Sequence, residues 1–176
     1  EALETKDKNE IEEEAILVVA TAMIILVAGY ETTAMTLACC IFQLAKNPEI
    51  QRKLQEEIDD VMGEEKKMPS YQTIQEMEYL DMVLFEAMRL HPAVGALPRG
   101  CTKDYKVPGN NFTIKKGTDM FISTLGIHRD ERYYPDPITF NPENFSKENK
   151  ANRHPMAFLN FGHGPRGCIG MRFALL

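Results

Sequence analysis

The chain has 176 residues, 44% apolar, 26% charged and 9% aromatic, with a formal net charge of −6 and a pI near 5.3. That length suffices for one domain or a large part of one, and the composition excludes disordered, collagen-like and disulfide-scaffold classes. The acidic balance argues against nucleic acid as a partner.

Four cysteines, with Cys39 and Cys40 adjacent, form no C-x-x-C pair and no disulfide framework, which suits a reducing, cytosol-facing setting. The first residue is Glu1, and no targeting signal follows it. Residues 172–176 stop inside a helix-forming run, so the chain reads as an internal segment of a longer protein, one partial domain over residues 1–176.

Residues 1–14 carry a local charge of −5 and read as a solvated linker and helix first turn, where carboxylates suit the positive end of the macrodipole. Residues 15–45 are almost wholly apolar, with Glu31 and Gln43 as the strongly polar exceptions. The unbroken stretch, residues 15–30, is 16 long, short of the ~18–20 that a bilayer needs. Extending it would bring Glu31 into lipid, so a helix apolar on all sides and buried in a large core is the expectation.

Asn47-Pro48 predicts an N-cap and first-turn proline for a helix that Gly63 ends. After a charged loop over residues 64–70, a helix with one break is predicted to Leu90, with Met77, Leu80, Leu84 and Met88 on one stripe and Pro92 as its stop. Residues 107–123 alternate and turn like short strands. Residues 130–167 hold five prolines and several glycines in a long irregular stretch of the kind that usually carries function. The predicted class is therefore predominantly α with a small β component (α+β).

The strongest chemical signal is Phe161-Gly162-His163-Gly164-Pro165-Arg166-Gly167-Cys168-Ile169-Gly170. A lone cysteine ends a Gly- and Pro-rich loop just before a helix start, where backbone N–H groups and the helix dipole favour thiolate. The glycines let the backbone approach something large and flat, and Arg166 adds a cation two residues from the sulfur. A structural thiol in a glycine turn is the plain alternative. A phosphate loop is a weaker one, because the Gly-Lys-Ser/Thr ending is missing.

Glu31-Thr32 lies inside the apolar helix beside Gly29, an acid and a hydroxyl placed to relay a proton and donate a hydrogen bond. Alternatively Thr32 bonds back to a helix carbonyl and Glu31 faces solvent. Glu86 and Arg89 stand three apart, a spacing that by itself marks a surface ion pair.

These segments together resemble the cytochrome P450 family, of the microsomal animal type. Phe161, Gly164, Arg166, Cys168 and Gly170 match its F-x-x-G-x-R-x-C-x-G signature, and Ala28-Gly29-Tyr30-Glu31-Thr32-Thr33 matches A-G-x-[DE]-T-T. Glu86 and Arg89 match E-x-x-R. Phe140-Asn141-Pro142-Glu143-Asn144-Phe145 resembles the P-E-R-F segment but has Asn144 where arginine is usual, which implies a weaker brace. His128-Arg129-Asp130 resembles the turn ahead of that segment and reads as structural.

The resemblance implies a partial cytochrome P450-like fold, from the central long helix through to the haem-binding loop. It implies haem b with Cys168 as axial thiolate, flanked by Ala28, Gly29, Phe161, Gly162, Ile169, Gly170 and Ala174, with Arg99 and Arg166 on its propionates. Glu31 and Thr32 take catalytic proton delivery, while Glu86, Arg89 and Asn144 brace the loop. Ala93, Val94, Gly95, Ala96 and Leu97 line an apolar substrate cavity.

The activity implied is insertion of one oxygen atom from O2 into an apolar small molecule. Electrons would come from NADPH through a reductase, possible help coming from cytochrome b5. The implied location is the cytosolic face of the endoplasmic reticulum membrane, through an anchor not in this chain. The local charge of +4 over residues 146–176 suits an acidic electron donor or is a solvated basic loop. The competing functions are a haem-thiolate isomerase or dehydratase and a non-catalytic helical membrane or interaction module. The 176 residues alone are expected to bind haem poorly and to be inactive.

Overall fold

The computed structural model describes residues 8–63 and 69–175. The acids Glu1, Glu4 and Asp7, most of the charged loop and Leu176 lie outside the described residues. Helices dominate: α1 (Lys8–Lys46), α2 (Pro48–Met62), α3 (Tyr71–Gln75) and α4 (Glu78–Leu90). A small β part follows, with β1 (Ala96–Gly100), β2 (Tyr105–Lys106), β3 (Thr113–Ile114) and β4 (Asp119–Ser123), then α5 (Thr124–His128), α6 (Lys147–Asn152) and α7 (Met171–Ala174). β1 pairs antiparallel with β4, setting Ala96 opposite Ser123, and β2 pairs antiparallel with β3.

Local chemistry accounts for most boundaries. Pro48 opens α2 and Gly63, at φ 61°, closes it. Asn47 does not cap as expected, since its Nδ2 donates back to the Gln43 carbonyl at 2.8 Å. Ser70 caps α3 by accepting from Thr73 N at 3.1 Å. At α4 the cap comes from another helix: Glu57 accepts from Tyr79 N and Leu80 N, both at 2.8 Å. A carboxylate there satisfies two orphan donors and meets the positive end of the macrodipole.

Helix α4 is the hub. On one side Val83, Ala87 and Leu90 pack with Cys40, Leu54 and Phe140, backed by Leu44, Ile50 and Ile58. On the other, Met82 and Phe85 meet Tyr134, Phe145, Ala157 and Phe158. The Phe85, Phe145 and Phe158 rings lie 5.1–5.6 Å apart, one pair stacked and two edge-on. The expected single apolar stripe gives way at the helix end, where residues 86–90 are all buried.

The expectation of a helix buried all round is not met by α1. Residues 11–35 are exposed throughout, with Ile16, Ile24 and Leu26 between 64% and 69% exposed. Only the last turns pack: Cys40 and Gln43 are buried against the rest of the chain. By length and composition Ile11–Lys46 is apolar enough to cross a membrane, a test that core helices of soluble proteins also pass. The physical reason for its exposure is local, because α2 and α4 reach only its C-terminal turns and no other described element packs along it.

Candidate functional site

Two constellations stand out, a buried ion-pair centre on α4 and the cysteine loop near the end of the chain. Glu86 and Arg89 side chains are fully buried and joined by a fork, Arg89 Nε to Glu86 Oε2 and Arg89 Nη2 to Glu86 Oε1, each 2.7 Å. Arg89 Nη1 also donates to the carbonyls of His128 (2.8 Å) and Pro137 (2.7 Å), and Nη2 to that of Thr139 (3.2 Å). Glu86 Oε1 accepts from Asn141 N (2.9 Å) and Asn144 Nδ2 (3.1 Å). The i,i+3 spacing that usually marks a surface contact here marks a pair whose polar atoms are bonded on every side. Asn144 joins the centre as a neutral donor in place of a cation.

His128 links this centre to the loop. Its ring is fully buried and stacked on Phe158 at 5.1 Å and 10°. Leu159 N donates to Nε2 at 2.9 Å, so Nε2 is the unprotonated nitrogen and Nδ1 carries the hydrogen toward the Arg89 carbonyl, 3.2 Å away. Burial, with the Arg89 and Arg153 cations adding to it, lowers the imidazole from 6.5 to about 4, against the opposing bond to the Arg89 carbonyl.

The sign is set by that depression: the unfolded chain binds the proton first. Stability from this group is full above pH 6.5 and is lost as pH falls through about 4. The difference is worth about 3 kcal/mol. His128→Gln should flatten the acid limb of a urea-unfolding profile of the full-length protein between pH 6.5 and about 4. A limb as steep as in the parent protein would assign the titration to other groups.

Beyond Leu159 the chain turns sharply. Gly162 N donates to the Leu159 carbonyl at 2.9 Å, and Gly162 and Gly164 adopt φ of 68° and 74°, a region that side chains with a Cβ rarely enter. Gly167 N returns to the Gly164 carbonyl (2.9 Å) and Cys168 N to the Phe161 carbonyl (2.7 Å), closing a compact loop. Cys168 is exposed at its end, and α7 starts after Gly170 with a single described turn. Ile169 and Phe173 stand 95% and 81% exposed beside it.

The structure brings Phe161, Gly162, Cys168 and Gly170 into one loop, with Arg166 exposed on it and Ala174 exposed in α7. It brings Glu86, Arg89 and Asn144 into one centre. Other candidates stand apart from both. Arg99 is half-buried on β1 and turns Nη1 back to the Pro98 carbonyl at 2.7 Å. Ala93, Val94, Gly95, Ala96 and Leu97 run partly exposed from α4 into β1.

Ala28, Gly29, Glu31 and Thr32 lie on the exposed part of α1, where Thr32 Oγ1 donates to the Ala28 carbonyl at 2.6 Å. That is the plain helical back-bond weighed as the alternative. Among the described residues no hydrogen bond joins this pair to the cysteine loop.

The basic stretch is less available than its sequence suggests. Lys147 pairs with Glu78, Lys150 lies 5.7 Å from the centre of the Phe85 ring and Arg153 lies against Tyr134 and Phe145. Arg166 and Arg172 stay exposed by the loop. Sequence reasoning missed Tyr134, Thr139, Asn141 and Arg153, whose roles arise only from contacts between distant segments.

These residues fit an iron porphyrin. Among the described residues no three of His, Cys, Asp and Glu converge on one point, so the loop offers a single soft donor in an accessible thiol. Exposed Ile169 and Phe173 present apolar surface to a flat ring, and Arg166 offers a cation for a carboxylate.

A sequence model of the family described as Cytochrome P450 matches residues 2–176. Cytochrome P450 6l1 of Blattella germanica is 44% identical over 159 residues, 90% of this chain and 32% of its own. Cytochrome P450 3A2 of Rattus norvegicus is 46% identical over 172 residues, 96% of this chain and 34% of its own. Cytochrome P450 3A16 of Mus musculus is 47% identical over 161 residues, 92% and 31% respectively. The chain thus spans about a third of the length of the curated relatives it matches.

Proposed function

The chain belongs to the cytochrome P450 family, and from that premise we propose that the whole protein is a haem-thiolate monooxygenase for apolar small molecules. The observation that carries the reading is the Phe161–Gly170 loop ending in one accessible thiol, tied through His128 to the Glu86–Arg89 centre. The net reaction consumes substrate, O2, two electrons and two protons, and yields the oxygenated product and water.

The chemistry that haem b supplies when bound is reductive activation of dioxygen, aided by electron density from a thiolate ligand. Cys168 Sγ would be that ligand. Arg166 and Arg99 would hold propionates by charge-assisted hydrogen bonds, Arg99 after giving up its bond to the Pro98 carbonyl. Phe161, Gly162, Ile169, Gly170 and Ala174 would seat the ring.

Ala28 and Gly29 leave room beside α1 for dioxygen. Thr32 Oγ1, released from the Ala28 carbonyl, delivers a proton and Glu31 replaces it. Ala93, Val94, Gly95, Ala96 and Leu97 present small and aliphatic groups to an apolar substrate.

NADPH supplies the electrons through a reductase, with cytochrome b5 as a second donor, and exposed Arg166 and Arg172 suit an acidic docking face. We place the protein on the cytosolic face of the endoplasmic reticulum membrane. We also propose that the 176 residues alone lack useful turnover, since α1 and the cysteine are both uncovered in them.

The test uses the full-length protein and an aryl alkyl ether whose oxygenation next to the ether oxygen releases a fluorescent phenol. Turnover should require both NADPH and reductase. Conversion of an organic peroxide without any electron donor, with no phenol from the ether, would instead identify an isomerase or dehydratase. Thr32→Ala should keep haem and consume NADPH while losing most phenol and releasing hydrogen peroxide. Unchanged phenol formed per NADPH would remove Thr32 from proton delivery.

A further inference from the structure

Tyr134 is fully buried, its hydroxyl donates to the Ala157 carbonyl at 3.0 Å, and two guanidinium groups lie against its ring. Arg89 Cζ is 4.8 Å from the ring centroid and Arg153 Cζ is 4.3 Å, while Arg153 also lies 4.9 Å from the Phe145 ring. The Arg153 side chain makes no hydrogen bond among the described residues, so ring faces and the field of the centre hold it. Burial lowers the Arg153 pKa from its ordinary value, Tyr134 and Glu86 pull the other way in favour of the charge, and Arg89 adds a smaller opposition.

Glu86 is bonded by one cation and two neutral donors, Asn141 N and Asn144 Nδ2. On the side where Asn144 stands, the carboxylate thus meets neutral donors alone among the described residues.

We propose that Arg153 is the second cation of the Glu86 centre, acting across the Tyr134 ring in place of a charge at position 144, and that it thereby positions the cysteine loop. The route is short. Arg153 begins the segment that Tyr134 fixes at Ala157 and His128 fixes at Leu159, and the next turn receives Cys168 N on the Phe161 carbonyl. Arg153 touches no reacting atom; it is a positioning residue.

The experiment is a double-variant cycle in the full-length protein, Arg153→Met, Asn144→Arg and both together. It is read by thermal unfolding and by the lifetime of the thiolate form of the reduced carbonyl complex. Arg153→Met keeps bulk and removes charge; it should lower the unfolding midpoint and shorten that lifetime by about tenfold, as loss of a half-buried guanidinium–ring contact implies. Adding Asn144→Arg should restore both, because it returns the cation to the same carboxylate. If Arg153→Met yields no folded protein, recovery in the double variant supports the assignment and failure to recover overturns it.

An unchanged midpoint in Arg153→Met, or a loss that Asn144→Arg does not repair, would also overturn it. The spectroscopic readout rests on Cys168 as the iron ligand, but the midpoints do not. A parent protein with no thiolate signature would refute the haem reading, while the cycle of midpoints would still decide the role of Arg153.

Discussion

Arg89→Leu should destabilise the full-length protein by about 3–5 kcal/mol, the cost expected when one partner of a buried ion pair is removed. The leucine would leave the Glu86 carboxylate, fully buried, without the only cation bonded to it among the described residues. It would also strand the carbonyls of His128, Pro137 and Thr139, three acceptors from the end of α5 and the loop that follows it. Arg89→Lys keeps the charge but cannot reproduce a two-nitrogen fork plus three carbonyl bonds, so it should still lose much of that stability. Equilibrium urea unfolding measures both. A loss below about 1 kcal/mol for Arg89→Leu would mean that this centre behaves like an exposed pair and is no brace.

Cys168→Ala should have the opposite profile, with the fold kept and the chemistry lost. Cys168 is exposed and only its backbone N–H bonds within the loop, so the substitution should change unfolding free energy by no more than about 0.5 kcal/mol. Yet the thiolate-type spectrum of the reduced carbonyl complex should vanish, and oxygenation of the ether probe should vanish with it. Persistence of that spectrum would assign the ligand to another residue. The contrast between the two variants separates the scaffold from the ligand that it presents.

How far these features were legible in the sequence depends on whether their cause is local. Pro48 and Gly63 bound α2 through their own backbone preferences, and the cysteine loop declared itself through glycines that the turns at 162 and 164 require. The burial of Glu86 and Arg89 has no local cause. It arises because Tyr134, Asn141 and Asn144, some 50 residues downstream, fold back over α4. Nothing in the sequence around Arg153 sets it apart from the solvated lysines beside it, because its partners are two rings supplied by other segments.

The all-apolar character of α1 led to an expectation of burial on every side, since the pattern has no polar face to orient it. Burial needs a partner surface, and the described residues supply one only at its C-terminal turns. For Glu31 and Thr32 the spacing matched a proton-delivery motif, whereas the geometry has Thr32 bonded to Ala28, so their role stays a proposal for the variant above to decide.

In the proposed enzyme a sulfur anion at position 168 holds the iron. X-ray absorption at the iron edge of the full-length protein as purified tests it most directly. The expected spectrum has one sulfur scatterer in the first shell alongside porphyrin nitrogens. An iron ringed by nitrogen and oxygen alone, as if the neighbouring His163 had taken the axial position, would contradict it.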